Sequence, residues 1–180
     1  MRLTIPVGSG ATVTPIDPNL FREAMSRFAS GVTVVTAGRG GERFGLTASS
    51  FVSVSMEPPL VLVCVSKTLL AHDVIAESGA FAANILGVHQ LDVGRRFAGL
   101  TPETGDRFSG LACAARVTGA PLLTDSLACL DCRLHAAHPG GDHTIFVGAV
   151  VDVLLSRDEP PLLYHNRLWR RSETIEPIEP

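Results

Sequence analysis

The spacing of apolar residues changes several times along the chain. Asp17-Pro18 reads as a helix start, an N-cap residue followed by proline at the first helical position. Phe21, Met25 and Phe28 follow at i, i+4 and i+7, on one apolar face, and Gly31 reads as the helix stop. From there the pattern is that of strands. Val32–Ala37 is a β-branched run, Arg39-Gly40-Gly41-Glu42 a turn, and Arg43–Leu46 the returning strand. Phe51–Ser55 alternates with hydroxyls. Leu60–Val65 (LVLVCV) is apolar throughout, as expected of a strand buried on both faces. Thr68–Glu77 reads as a short helix stopped by Gly79, Phe81–Leu86 as a strand, His89–Ala98 as a helix and Leu100–Gly110 as a loop. Leu127–Ala137, the turn Pro139-Gly140-Gly141 and Thr144–Leu155 predict one long hairpin, and Leu162–Tyr164 with Leu168–Arg170 a short one.

Strands outnumber helices, and turns join most of them. This predicts a mainly β fold, a β-barrel with a few helices outside it, rather than alternating βαβ units. The length, 180 residues, suits one domain, placed here at 17–171. Residues 1–16 are expected to be a flexible leader and 172–180 a polar, acidic tail.

Composition removes several classes of function. A net charge of −3 and a pI near 6.0 argue against a protein whose task is to neutralise phosphate backbones, so no nucleic-acid partner is expected. No apolar run approaches ~20 residues, so no membrane span is expected. Met1–Thr14 has no basic segment leading into an apolar one, and four cysteines are not a disulfide framework; the expected compartment is the cytoplasm. The 15 basic residues include a single lysine, Lys67.

Candidate chemistry is sparse. No GxGxxG joins a strand to a helix, and neither a P-loop nor a G-x-S-x-G elbow is present. Cys129, Cys132, His135 and His138 have a metal-like spacing, but steps of three alternate between the two faces of a strand, so packing cysteines and no metal are expected. Gly45–Phe51 leaves a strand with small residues and hydroxyls, which lets a planar ligand approach the backbone. Ser66-Lys67-Thr68 ends the most apolar strand and opens a helix, a setting that can hold a phosphate. Gly141-Asp142-His143-Thr144 opens a long strand, and Tyr164-His165-Asn166-Arg167 packs two rings, an amide and a guanidinium into one turn. Each has a plainer reading as an ordinary loop, cap or edge hairpin, and Arg95-Arg96 with Arg107 reads as a solvated face.

In order along the chain, these segments resemble a known family. The stretches FREAMSRFASGVTVVTA (Phe21–Ala37), GLTASSFVSVSMEPPLVLVCVSKT (Gly45–Thr68), FAANIL (Phe81–Leu86), GDHTIFVGAVVDV (Gly141–Val153) and PLLYHNRLW (Pro161–Trp169) are similar to the flavin reductase-like family with the FMN-binding split barrel. Its members are the reductase components of two-component flavin-dependent monooxygenases. The resemblance implies a six-stranded antiparallel split barrel of Greek-key type with flanking helices. It implies a homodimer with flavin in a groove near the interface, and a transient link to a partner monooxygenase. By matching position, Thr47, Ala48, Ser49 and Ser50 would line the isoalloxazine, and Ser66, Lys67 and Thr68 would hold the phosphate. Asn84 and Phe97 would border the ring or the ribityl chain, and Arg107 is a further phosphate candidate. His143 would sit by the nicotinamide, and Tyr164, His165, Asn166 and Arg167 would help bind NAD(P)H.

The implied activity is hydride transfer from NADH or NADPH to FMN or FAD. The cofactors carry that chemistry, which agrees with the absence of an evident acid–base pair or nucleophile. Two other readings fit the same barrel: a flavin enzyme acting on its own substrate or on ferric chelates, and a non-catalytic flavin-binding module.

Overall fold

The computed structural model of the chain describes residues 16–102 and 105–173. Most of the expected leader and of the tail therefore lies outside the described residues. The elements are α1 (Pro18–Ser26), β1 (Ser30–Gly31), β2 (Thr33–Arg39), β3 (Glu42–Ala48), β4 (Val52–Met56), β5 (Pro59–Ser66), α2 (Leu70–Ser78) and β6 (Ala80–Ile85). A 3-10 turn at Val88–Gln90 leads into α3 (Leu91–Phe97). Then come β7 (Cys113–Ala115), β8 (Pro121–Leu123), β9 (Ala128–Gly140), β10 (His143–Leu155), β11 (Leu162–His165) and β12 (Leu168–Arg171).

The main sheet is antiparallel, with strand order β3-β2-β6-β9-β10-β5-β4. It holds seven strands where six were expected. Its two edge strands, β3 and β4, are consecutive in the chain and joined only by residues 49–51. A flat sheet of this size would separate its edges by roughly 29 Å, and three residues span only ~10 Å. The sheet must therefore curl until its edges approach. Ser50 stitches that seam: its hydroxyl accepts from the Cys64 N–H and donates to the Cys64 carbonyl, both at 3.1 Å.

The interior is filled by Val35, Val61, Val63, Val65, Phe81 and Phe146, and by Val74 and Ile75 from α2. A second cluster lies under α3 and holds Val34, Leu86, Phe97, Phe108, Leu123 and Leu162. A small β7–β8 hairpin and a three-stranded sheet of order β1-β11-β12 complete the fold.

Several expectations are corrected. The first helix ends at Ser26 rather than at Gly31, because Ser30 and Gly31 are drawn into pairing with β11. Its apolar face is uncovered in the protomer: Phe21 is 59% exposed and Phe28 68%. β5 alternates instead of being buried on both faces, with Val61, Val63 and Val65 inside and Leu62 and Cys64 half-buried on the outer side. The long hairpin turns on Gly141-Asp142, so Pro139 and Gly140 belong to β9. The short β7–β8 pair carries too little alternation to read from the sequence.

Candidate functional site

A cleft of about 600 Å³ lies over β3, between the start of α2 and the end of α3. Its floor runs from Arg43 to Thr47, with Leu69–Ala71 on one side and Phe97–Gly99 with Gly105–Phe108 on the other. Gly45 lets α3 seat directly on the strand, since a Cβ there would lie 2.6 Å from the Phe97 ring. Phe97 meets Phe108 edge to face, with ring centres 5.0 Å apart. The Arg43 guanidinium stands 4.8 Å over the Phe108 ring and pairs with Asp106. The Phe108 N–H donates to Asp106 at 2.9 Å. That bond, and then the Arg43 contact, outweigh partial desolvation and hold the Asp106 carboxyl below its usual range. The wall is thus a stack from Gly45 through Phe97 and Phe108 to the Arg43–Asp106 pair.

Pairing of β5 with β10 sets His143 opposite Ser66, which joins two distant motifs in one corner. The Lys67 N–H donates to the Asp142 carbonyl at 3.0 Å, and its Nζ donates to the Gly141 carbonyl at 2.6 Å. One ammonium proton is used there, leaving two to donate elsewhere. The Ser66 and Thr68 hydroxyls lie 3.0 Å apart, and Lys67 and Thr68 are exposed. His143 Nδ1 is 2.8 Å from the Asp142 carboxylate, a contact that, with the His143 and Lys67 charges, keeps that carboxyl below its usual range. Leu69 and Leu70, which follow Thr68 in the chain, line the cleft, whereas Ser66–Thr68 and Gly141–His143 do not.

The small-residue turn is divided in its roles. The Thr47 hydroxyl donates to the Gly94 carbonyl at 2.7 Å, tying β3 to α3. Ser50 is committed to the seam, Ala48 is buried and Ser49 is exposed. Only Ser49 of these hydroxyls faces outward without an internal bond. Asn84 is a correction. It is 0% exposed, and its amide donates to the Val34 carbonyl and to Thr36 Oγ1 and accepts from the Leu123 N–H. It braces the sheet and does not border the cleft. Phe97 and Arg107 do line the cleft. Arg96, read as part of a solvated face, instead donates to the carbonyls of Arg107 (3.3 Å) and Ser109 (2.9 Å), stapling that loop to α3.

The last hairpin turns on Asn166 and Arg167, both in the left-handed region at φ 51° and 61°. The Asn166 N–H donates to the Ser26 carbonyl at 2.7 Å, so the end of α1 holds the turn. His165 is half-buried and Arg167 exposed. Tyr164 and Trp169 face Ala48 and Ser49 across a notch of about 180 Å³. Tyr164 to Arg167 thus sit at the β3 end of the site, whereas His143 sits at the Ser66 corner.

Sequence reasoning missed two residues. Trp169 lines the notch, and its signal was that it is the chain's one tryptophan, two residues after Arg167. His72, on α2, lies behind the corner with Nε2 2.8 Å from Thr144 Oγ1 and Nδ1 2.8 Å from Asp73. Cys132 packs in the main core and Cys129 in a separate cluster with Ala82, Ala120 and Leu122. Burial pushes their thiols up to about 12 and about 11. His135 and His138 are exposed on the same strand.

The residues present fit a phosphorylated planar cofactor. A corner with free ammonium protons and two hydroxyls precedes, along the chain, the Leu69–Ala71 edge of a cleft within the size range of small-molecule sites, ~300–1,000 Å³. Comparison with known proteins agrees. The flavin reductase like domain matches residues 25–172. The chain is 47% identical over 152 residues to the reductase component of 4-hydroxyphenylacetate 3-monooxygenase from Thermus thermophilus, covering 84% of this chain and 94% of that one. It is 40% identical over 152 residues to actinorhodin polyketide dimerase from Streptomyces coelicolor, covering 84% of each. Among solved structures, the NADH:FAD oxidoreductase of Streptomyces globisporus in complex with NAD and FAD fragments is similar with a TM-score of 0.80. Identity there is 35%, over 91% of this chain and 99% of that one. The chain belongs to the flavin reductase-like family.

Proposed function

We propose that the protein is an NAD(P)H:flavin oxidoreductase that supplies reduced FMN or FAD to a partner monooxygenase. The observation that carries this reading is the corner where Ser66–Thr68 meets Gly141–His143, directly before the Leu69–Ala71 edge of the cleft in the chain. Bound flavin would supply the hydride acceptor, and the protein orientation. Lys67, Ser66 and Thr68 hold the phosphate. Ala48 and the exposed Ser49 border the ring. Phe97 and Phe108 form the dry wall. His143 and the Tyr164–Arg167 hairpin engage the pyridine nucleotide. Steady-state oxidation of NADH and NADPH, crossed with FMN, FAD and riboflavin, tests this. Acceleration by at least one pair is expected, and none overturns the reading.

A second reading is favoured by the relative named as a polyketide dimerase: a flavoprotein acting on its own organic substrate. Stoichiometric yellow flavin after purification, with slow NADH turnover, would select it.

The apolar residues left exposed on α1, and Val52, Val54 and Met56 on β4, support a homodimer. Light scattering should give twice the chain mass, and Val54→Asp should lower it. Four free thiols fit a reducing compartment, the cytoplasm. Among the described residues no helix is long and apolar enough to cross a membrane.

A further inference from the structure

His72 has no part in the cleft, in the ligand contacts of the phosphate corner or in the Tyr164–Arg167 hairpin. It stands in the first turn of α2, four residues after Thr68, and its side chain is 17% exposed. Ala71, Val74 and Ile75 beside it are buried, and Val74 and Ile75 pack in the main core, so the helix is anchored without it. The imidazole lies against Phe146, with ring centres 5.3 Å apart at 51°. Its Nε2 reaches across to β10 and lies 2.8 Å from Thr144 Oγ1.

The direction of that bond follows from the other ring nitrogen. Nδ1 is 2.8 Å from the Asp73 carboxylate, which when ionised can only accept, so Nδ1 carries the proton. In the neutral ring Nε2 then accepts, and the Thr144 hydroxyl donates. Asp73 thus orients the ring. Thr144 is the second residue of β10 and lies between Val65 on β5 and Pro139 on β9. The Gly141-Asp142 turn, which Lys67 engages through its N–H and its Nζ, comes immediately before that strand. Two clamps therefore join the segment after β5 to the start of β10: Lys67 at the turn and His72 at Thr144.

We propose that His72 is a positioning residue for the phosphate corner: through Thr144 it holds the start of β10 against α2 and keeps the Gly141–His143 turn seated on Lys67. The inference rests on the proposed binding of the flavin phosphate by Ser66, Lys67 and Thr68. Lys67 Nζ spends one proton on the Gly141 carbonyl, so the place of that carbonyl sets where the other two point. Without the second clamp the turn is held at one end only, and the ammonium moves with it. Binding must then order both, which weakens it. His72 itself touches no ligand. Its effect is confined to ligands that carry a phosphate, because the ring lies over β3 and not at this corner.

The test is equilibrium titration of His72→Phe and Thr144→Val with FMN and with riboflavin, which has the same ring system and no phosphate. Phenylalanine keeps the contact with Phe146 and removes both nitrogens; valine keeps the shape of threonine and removes the hydroxyl. Each variant should weaken FMN about fivefold, the worth of one neutral hydrogen bond, and leave riboflavin within about twofold. The double variant should be no weaker than either single one, because both remove the same bond. His72→Gln, whose amide oxygen can accept from Thr144, should recover most of the loss. FMN affinity that does not move, equal loss of both flavins, or single losses that multiply in the double variant overturns the inference. If His72→Phe does not fold, Thr144→Val decides with the same two ligands. The reading beneath the inference fails separately: a Lys67→Ala protein that loses FMN and riboflavin alike removes the phosphate from the corner, whatever His72 does.

Discussion

The two sides of the site are held by opposite means. At the corner of Ser66–Thr68 and Gly141–His143, hydrogen bonds fix the chain, and the side chains that make them are exposed. Along the α3 wall, Phe97 on Gly45 fixes the chain by contact of surfaces with no room for a methyl group. The corner spends little burial and keeps donors available, so its residues are replaceable for folding. The wall is the reverse: its substitutions act on the fold first and on the ligand through the fold.

The largest expected effect is at the wall. Phe97→Ala should cost about 3–5 kcal/mol and Gly45→Ala about 1–3 kcal/mol, read by denaturant unfolding. Both should weaken FMN. A Gly45→Ala protein of unchanged stability would show that Phe97 is free to move and that the wall is not tight. At the corner, Lys67→Ala should leave the melting temperature unchanged and weaken FMN by ~10–100-fold, the worth of a charged hydrogen bond. Riboflavin, which has no phosphate, should bind as before; equal loss of both ligands would remove the phosphate from this corner. Arg167→Gly should raise the nucleotide KM while stability stays level or gains up to ~1 kcal/mol, because glycine relieves the left-handed strain.

The smallest effect lies on the wall side, at Asp106. The fold lowers the Asp106 carboxyl, so its contribution is complete above the ordinary aspartate range near ~3.9 and is lost as pH falls through its lower folded value. Proteolysis at the Gly105–Phe108 loop should rise in that acid window. Asp106→Asn should show the same opening at neutral pH, without the acid step.

The corner was legible as two motifs because each carries its chemistry in consecutive residues. Their meeting was not, because strand register over that distance is set by the whole sheet. The inward bonding of the polar groups was not legible for a different reason. Thr47, Ser50 and Asn84 carry the polar groups a ligand site needs, but those groups satisfy backbone inside the fold. Sequence shows that a donor exists and not which way it faces. Trp169 was hidden by its position in a short edge strand, where an aromatic residue usually packs. The α1 stripe was read correctly as a face, while the uncovered state of that face depends on what lies beside it.

The lysine at the corner has a chemical consequence. Reagents that acylate or cross-link side-chain amines meet a single target in this chain, and it stands exposed beside Gly141 at the turn of the long hairpin. A label placed there is uniform in position. The arginines that supply the remaining 14 cations are silent to the same chemistry.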